Sequence, residues 1–181
     1  MATLRKDTDV ETIIRTRRAV RHFKPDPIPD EILYRILNSA RLAPSSKNSQ
    51  PWHFIIIKNK KTLQELAKMT YTGDFLPDAP LAIATVLESA KLETDAARAI
   101  QNMALTAWKY RIGTVWITNF WEKAKQILGI PMTGNYKLIT VMPFGYIYDD
   151  VKPRGKKHRK KFEEIFHSET FETPLKLDFE A

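Results

Sequence analysis

The chain contains no cysteine. Disulfides, thiol nucleophiles and thiolate metal sites are therefore excluded. Histidine is scarce: the four, at positions 22, 53, 158 and 167, show no metal-ligand spacing. His53 precedes an apolar run and reads as a structural histidine. The six glycines form no G-x-G-x-x-G, no phosphate-cradling P-loop and no nucleophile elbow. No two carboxylates are placed as an acid–base pair. No apolar run approaches the roughly 20 residues of a membrane-spanning helix. The first residues, Met1-Ala-Thr-Leu-Arg-Lys-Asp, lack the apolar core of a signal peptide. A cytoplasmic protein without membrane contact is expected.

What remains suits one domain. At 181 residues and 43% hydrophobic, the chain can bury a real core, and 28% charged residues give a soluble globular composition. The net charge of +8 favours anionic partners. Its distribution matters more. Arg15, Arg17, Arg18 and Arg21 form one cluster, and Lys152 to Lys161 holds seven Lys or Arg in ten positions. The two clusters are either two solvated patches or two halves of one anion site.

Thr8 or Asp9 can cap a helix starting near Val10. Arg17 to Phe23 follows, and then Lys24-Pro-Asp-Pro-Ile-Pro29, whose prolines forbid a helix. Ile32, Leu33, Ile36, Leu37 and Ala40 recur at helical spacing after Pro29-Asp-Glu31. Trp52 to Lys58 predicts a buried strand, Lys60 to Met69 a helix, and Leu81 to Leu87 a second buried strand. Thr94 or Asp95 begins a long helix. Ala96, Ala99, Ile100, Met103, Ala107 and Tyr110 lie along one side of it. That side permits close approach of another helix, in this chain or in a partner. Ile112 to Ile117 predicts a third strand, and Phe120 to Leu128 a helix closed by Gly129. Leu138 to Tyr148 predicts a fourth strand, bulged near Pro143. Lys160 to Phe166 reads as a short helix supported by Arg159/Glu163 and Lys160/Glu164 pairs. The tail from Ser168 carries Phe171, Leu175, Leu177 and Phe179, and is expected to dock on a second subunit. No repeat, low-complexity segment or linker appears, so residues 1–181 read as one α+β domain, with 168–181 as an extension.

Four groups of residues carry chemistry. In an extended Arg17-Arg-Ala-Val-Arg21, alternate positions point the same way. Guanidinium forks there suit phosphate oxygens; a solvated basic face is the alternative. Ala43-Pro-Ser-Ser-Lys-Asn-Ser-Gln-Pro-Trp-His-Phe54 is a polar loop between a helix and a strand. Ser45, Ser46, Asn48 and Gln50 offer donors and acceptors for phosphate, hydroxyls or a heterocycle edge, unless they only shape a turn. Lys156, Lys157 and Arg159 complete an anion site, or form a solvated run or a nucleic-acid patch. Gly113-Thr-Val-Trp-Ile-Thr-Asn119 ends a buried strand, where backbone amides can face a ligand.

Several motifs together resemble the flavin-dependent nitroreductase family. They are Arg17-Arg-Ala-Val-Arg-His-Phe23, the Pro29-Asp-Glu-Ile-Leu helix, the Ala43–Phe54 loop, Asp78-Ala-Pro80 and Ala99-Ile-Gln-Asn-Met103. Ile112-Gly-Thr-Val-Trp-Ile117, Met142-Pro-Phe-Gly-Tyr146 and Lys157-His-Arg159 before Phe162-Glu-Glu-Ile165 continue the order. The resemblance implies an α+β fold with a mainly antiparallel sheet flanked by helices. It also implies an intertwined homodimer with two FMN sites at the subunit interface.

By that resemblance, Arg17 and Arg159 bind the FMN phosphate, with Lys157 beside them. Arg18 and Ala19 contribute backbone contacts, and Arg21 lies near the N1–C2=O edge of the isoalloxazine. Ser45, Ser46 and Asn48 come from the other subunit, supported by Gln50. Ile117 and Thr118 approach the flavin, with an N–H near N5. The implied activity is NAD(P)H oxidation by hydride transfer through N5, with ping-pong reduction of a nitroaromatic, quinone or similar small-molecule acceptor. No side chain acts as acid or base, because the cofactor carries the chemistry. Three departures stand out: Ala19 where serine is common, Asn119 where glycine is common nearby, and no match to the family over Thr70–Phe75.

Alternatives remain at this point. Within the fold, a reductive dehalogenase or flavin-cleaving enzyme would have an inserted lid, against which the short Glu88–Asp95 connection argues. A basic nucleic-acid-binding protein would explain Lys152–Lys161 but not the polar loop. A non-catalytic flavin-binding protein would leave NAD(P)H unoxidised under air.

Overall fold

The computed structural model describes residues 9–88, 92–149 and 158–177. Asp9 caps the first helix, α1 (Val10–Thr16), by accepting from the Thr12 N–H at 2.8 Å. Such a cap is worth about 1 kcal/mol. Helix α2 (Asp30–Arg41) begins after Pro29 and buries Leu33, Ile36 and Ala40, the stripe its helical spacing predicts. Strand β1 (Trp52–Ile57) leads to α3 (Lys60–Ala67), which is capped by the Asn59 side chain. Strand β2 (Leu81–Leu87) matches its sequence expectation at both ends. Helix α4 (Glu93–Lys109), strand β3 (Ile112–Thr114), helix α5 (Lys123–Ile127) and strand β4 (Lys137–Tyr146) complete the series. No helix among the described residues is long and apolar enough to cross a membrane.

The strands form one antiparallel sheet in the order β1-β2-β4-β3. Strand β2 lies inside it and is buried at every position. Its period-2 alternation serves two cores. Leu81, Ile83 and Leu87 pack with Ile36 and Ala40 of α2 and Ala99, Ile100, Met103 and Ala107 of α4. Ala82 and Ala84 face the other way, against Leu63, Leu66, Ala124 and Ile117. Each fully buried Leu or Ile contributes roughly 1.5–3 kcal/mol relative to exposure. The small-residue side of α4 therefore packs within this chain, against α2 and the sheet. The α+β class with a mainly antiparallel sheet and flanking helices is thus present.

Several expectations need correction. Strand β1 is not buried along its length. It is the edge strand, buried at Trp52 and Ile57 and open at His53 and Ile56. Strand β3 stops at Thr114 rather than Ile117. The Ile147 N–H donates to the Arg111 carbonyl at 3.1 Å, which marks 111/147 as a hydrogen-bonded pair. Antiparallel pairs alternate, so 113/145 and 115/143 are the next two of that kind. Position 143 is proline and has no N–H, so the ladder ends there. Strand β4 itself runs unbroken past Pro143. Its irregularity lies between Thr85 and Val86 of β2, where Thr85 faces Thr140 and Val86 faces Leu138. The helix predicted over 120–128 shrinks to Lys123–Ile127, with Gly129 just beyond at φ 66°.

The segment Val151–Ala181 forms a separate unit. Its predicted helix is a single 3-10 turn, Phe162–Glu164. One turn is too short to sustain an α-helix by itself. The Arg159/Glu163 and Lys160/Glu164 pairs are absent among ion pairs of described residues. Phe162 stacks on Phe166 at 4.2 Å, His167 stacks on Phe171 at 4.7 Å, and His167 bridges to Pro174. Phe171 stays 84% exposed, and Leu177 is also exposed. Phe179 lies outside the described residues.

Candidate functional site

The basic segment Arg17–Arg21 lies along strand β3. Arg17 ends α1 with φ −55° and ψ 135°, turning the chain into extended backbone. Ala19 then bridges in parallel to Thr114, and the Val20 N–H donates to the Thr114 carbonyl at 3.1 Å. Lys24 N–H donates to the Tyr146 carbonyl at 2.8 Å. Two glycines permit this approach. Gly113 and Gly145 face each other across β3 and β4. A Cβ on Gly113 would meet Val20 Cβ at 2.6 Å, and one on Gly145 would meet Phe23 Cβ at 2.7 Å.

Among the described residues, Arg17, Arg18 and Arg21 take part in no ion pair. Arg18 turns back to donate to the Arg15 and Arg17 carbonyls at 2.8 and 2.9 Å. Its Nε is buried with no partner among the described residues. Burial, and then the charge of Arg18, push the Arg17 guanidinium below the usual arginine range. Bound anion would relieve both effects. Arg21 is exposed, with its guanidinium 5.8 Å from the centre of the Phe75 ring. That contact is of cation–π type.

The segment after β3 continues towards Ile117 and Thr118. Both carbonyls are taken by threonine hydroxyls: Thr140 Oγ1 donates to Ile117 at 2.7 Å, and Thr70 Oγ1 to Thr118 at 3.2 Å. The N–H groups of Ile117 and Thr118 donate to no described residue. Asn119 adopts φ 61°, a conformation that glycine takes more readily. Trp121 N–H donates to the Met69 carbonyl at 2.8 Å. The 69–75 loop therefore touches the 118–121 stretch through these bonds and Arg21 through Phe75.

The polar loop is built differently. Ser46–Asn48 form one 3-10 turn, and Lys47, Asn48 and Gln50 have φ of 52°, 54° and 46°. The left-handed region costs an L-residue roughly 1–2 kcal/mol. Ser45 offsets part of this: its Oγ accepts from the Gln50 N–H at 3.0 Å and its carbonyl from the Asn48 N–H at 3.0 Å. Ser46 N–H donates to Asp95 Oδ2 at 3.0 Å. Ser46, Lys47, Asn48, Ser49 and Gln50 are exposed. No hydrogen bond or ion pair between described residues joins this loop to Arg17–Arg21 or to Ile117–Thr118.

Sequence reasoning thus finds two groups of residues that share no hydrogen bond or ion pair among the described residues. Arg17, Arg18, Ala19, Arg21, Ile117 and Thr118 gather around β3, whereas Ser45, Ser46, Asn48 and Gln50 sit on the loop before β1. Arg159 belongs to the separate C-terminal unit, where Nη1 donates to the His158 carbonyl at 3.4 Å. Lys157, like Lys156, lies outside the described residues. Sequence reasoning missed the load-sharing of Asp95, Phe75 and the Gly113/Gly145 pair. Asp95 had one visible signal, a carboxylate at a helix start, but nothing local says whose N–H it accepts.

No group of three potential metal-ligating side chains occurs among the described residues. A cavity of about 250 Å³ is lined by His53, Ile55, Val86, Gly129, Ile130, Pro131 and Tyr136, and contains none of the residues expected to bind FMN. Its His53 Nε2 lies 2.8 Å from Glu88 Oε1, and both side chains are more than half exposed.

Known proteins bear on this arrangement. The model described as "Nitroreductase family" matches residues 14–86, which span the basic segment and the polar loop. A protein of Archaeoglobus fulgidus named "Putative NADH dehydrogenase/NAD(P)H nitroreductase" is 33% identical over 151 residues, covering 76% of this chain and 85% of its own. A protein of the same name from Methanothermobacter thermautotrophicus is 30% identical over 149 residues, covering 76% of this chain and 77% of its own. The solved FMN-dependent nitroreductase of Clostridium difficile superposes with a TM-score of 0.74 at 28% identity, covering 88% of this chain and 98% of its own. Shared sequence along most of both chains, on a shared fold, leads to one conclusion: this chain belongs to the nitroreductase family of oxidoreductases.

Proposed function

We propose that the chain is an FMN-dependent NAD(P)H oxidoreductase that works as a homodimer. The observation that carries this reading is the uncompensated guanidinium set on β3. Arg17 is half-buried without a carboxylate, and the Arg18 Nε is buried without a partner among the described residues. A phosphate monoester near its dianion matches that need, because guanidinium donors are arranged for two oxygens. The residues present therefore fit FMN. Bound FMN would supply the hydride chemistry between NAD(P)H and a nitroaromatic, quinone or similar acceptor, in a ping-pong scheme.

The chain's own residues bind and orient. Arg17 holds the phosphate. Arg18 and Ala19 contribute mostly backbone contacts, and Ala19 bridges to Thr114 of β3. Arg21, braced by Phe75, sets positive charge beside the N1–C2=O edge, which favours the anionic reduced flavin. The open N–H groups of Ile117 and Thr118 are available near N5. Ser45, Ser46 and Asn48, supported by Gln50, complete the site from the second subunit. Two features support the dimer: the polar loop is exposed, and Phe171 and Leu177 leave apolar surface uncovered on the C-terminal segment. Residues 168–181 are then the extension that docks on the partner.

The test is direct. The purified protein is titrated with FMN, and the complex is reduced anaerobically by NADH and by NADPH in turn, followed by a screen of acceptors. Flavin bleaching by either nicotinamide and reoxidation by a quinone or nitroaromatic are expected. A protein that binds no FMN, or binds it and is reduced by neither nicotinamide, would refute the reading.

A further inference from the structure

Asp95 is the one charged side chain buried among the described residues, at 1% exposure. It lies in the first turn of α4, where a carboxylate is favoured by the helix dipole. Helix stability alone does not require burial. Two partners compensate the burial. Oδ2 accepts the Ser46 N–H at 3.0 Å, and Oδ1 accepts from Arg98 Nη1 at 2.6 Å. Among hydrogen bonds between described residues, the Ser46 bond is what ties the 45–50 loop to a helix; its other bonds are internal. Three residues of that loop hold left-handed backbone. Such a loop keeps its shape only if an outside contact fixes it.

We propose that Asp95 is a positioning residue for flavin binding: it locks the Ser45–Gln50 loop onto α4 in the shape that presents Ser45, Ser46 and Asn48 to FMN. This rests on the flavin reading above. Arg98 is half-exposed and neutralises the buried charge from the solvent side. The carboxylate touches no cofactor in this scheme, so its effect is transmitted through the Ser46 N–H.

Two matched pairs of variants test it. Asp95→Asn keeps an oxygen that can accept the Ser46 N–H, whereas Asp95→Ala removes it. Ser46→Pro removes the N–H, and Ser46→Ala removes only the hydroxyl. Proline fits the first position of the 3-10 turn, because Ser45 before it is already extended at φ −131° and ψ 157°. FMN affinity is measured by quenching of flavin fluorescence, and exchange of the Ser46 amide is followed in the flavin-free protein. A lost hydrogen bond to a charged group corresponds to an affinity loss of about 10- to 100-fold. That loss is expected for Asp95→Ala and for Ser46→Pro relative to Ser46→Ala. Asp95→Asn should stay within about threefold of the wild type on the same scale. The Ser46 amide should exchange faster in Asp95→Ala and stay protected in Asp95→Asn.

The proposal is overturned if Asp95→Asn binds as weakly as Asp95→Ala, or if Asp95→Ala binds like the wild type. Should Asp95→Ala not fold, equal affinity of Ser46→Pro and Ser46→Ala overturns it. Wild-type protein that binds no FMN refutes the flavin reading and the role with it. An unprotected Ser46 amide in wild type refutes the lock alone.

Discussion

The basic segment and the polar loop are fixed by opposite means. Arg17–Arg21 is held by close packing: backbone bridges to Thr114, with Gly113 and Gly145 leaving room for Val20 and Phe23. The Ser45–Gln50 loop has little packing and is held by hydrogen bonds, with Asp95 as its outside anchor. Packing errors spread, because neighbours must move; a lost hydrogen bond loosens one loop. The two surfaces should therefore fail differently. Disturbing the packing beneath the first should cost shape and stability together, and disturbing the anchor of the second should cost affinity with the fold intact.

The largest effect is expected at the glycine pair. In Gly113→Ala the new methyl is crowded by Val20 on one side and by Ile147 at 2.8 Å on the other. Overpacking of this kind destabilises by about 1–3 kcal/mol. Urea unfolding should show that loss, and FMN binding should fall further than in any single arginine variant. Unchanged stability and affinity would mean that the segment is not fixed by packing.

Arg17→Ala comes next. It should weaken FMN binding by about 10- to 100-fold, the scale of a lost hydrogen bond to a charged group, and leave the unfolding midpoint nearly unchanged. Riboflavin, which lacks the phosphate, should bind the variant and the wild type alike. Equal weakening for both flavins would remove Arg17 from the phosphate.

The smallest effect belongs to Asp149. Its carboxylate accepts from Lys24 at 2.9 Å and Arg111 at 2.7 Å, tying the stretch just after the basic segment to the start of β3. The Lys24 hydrogen bond and charge, aided by Arg111, hold its carboxyl below the ordinary value of 3.8. A depressed folded value means that the contribution is present above the unfolded pKa and is lost as pH falls through the folded one. The group is fully exposed, so the effect is slight. Asp149→Asn should lose a small amount of thermal stability at pH 7 and less at pH 3, which flattens the acid limb below about pH 4. A loss at pH 3 as large as the loss at pH 7 would contradict this.

The sequence was most legible where one local rule decides. Strand β2, buried on both faces, reads as a continuous apolar run and is found between the expected ends. Asp9, Pro29 and Gly129 mark helix ends through their own chemistry. It was least legible where a distant residue decides. Strand β3 looks long enough to reach Ile117, but Pro143 on the neighbouring strand ends the ladder at Thr114. Strand β1 looks buried because its isoleucines are apolar, yet its place at the sheet edge is set by topology. The site followed the same division. The arginines and the serines announce themselves by type. Asp95, the Gly113/Gly145 pair and Phe75 act through partners far along the chain.

The central claim is that one FMN site needs β3 of one subunit and the polar loop of the other. Arg17→Ala protein and Ser46→Ala/Asn48→Ala protein, each weak in FMN binding, are unfolded together and refolded as a mixture. In a mixed dimer, one site receives wild-type Arg17 from one chain and the wild-type loop from the other. With random pairing, about a quarter of all sites should then bind FMN with wild-type affinity. A mixture that binds no better than its two parents, with mixed dimers shown to form, would place both surfaces in one chain and contradict the account.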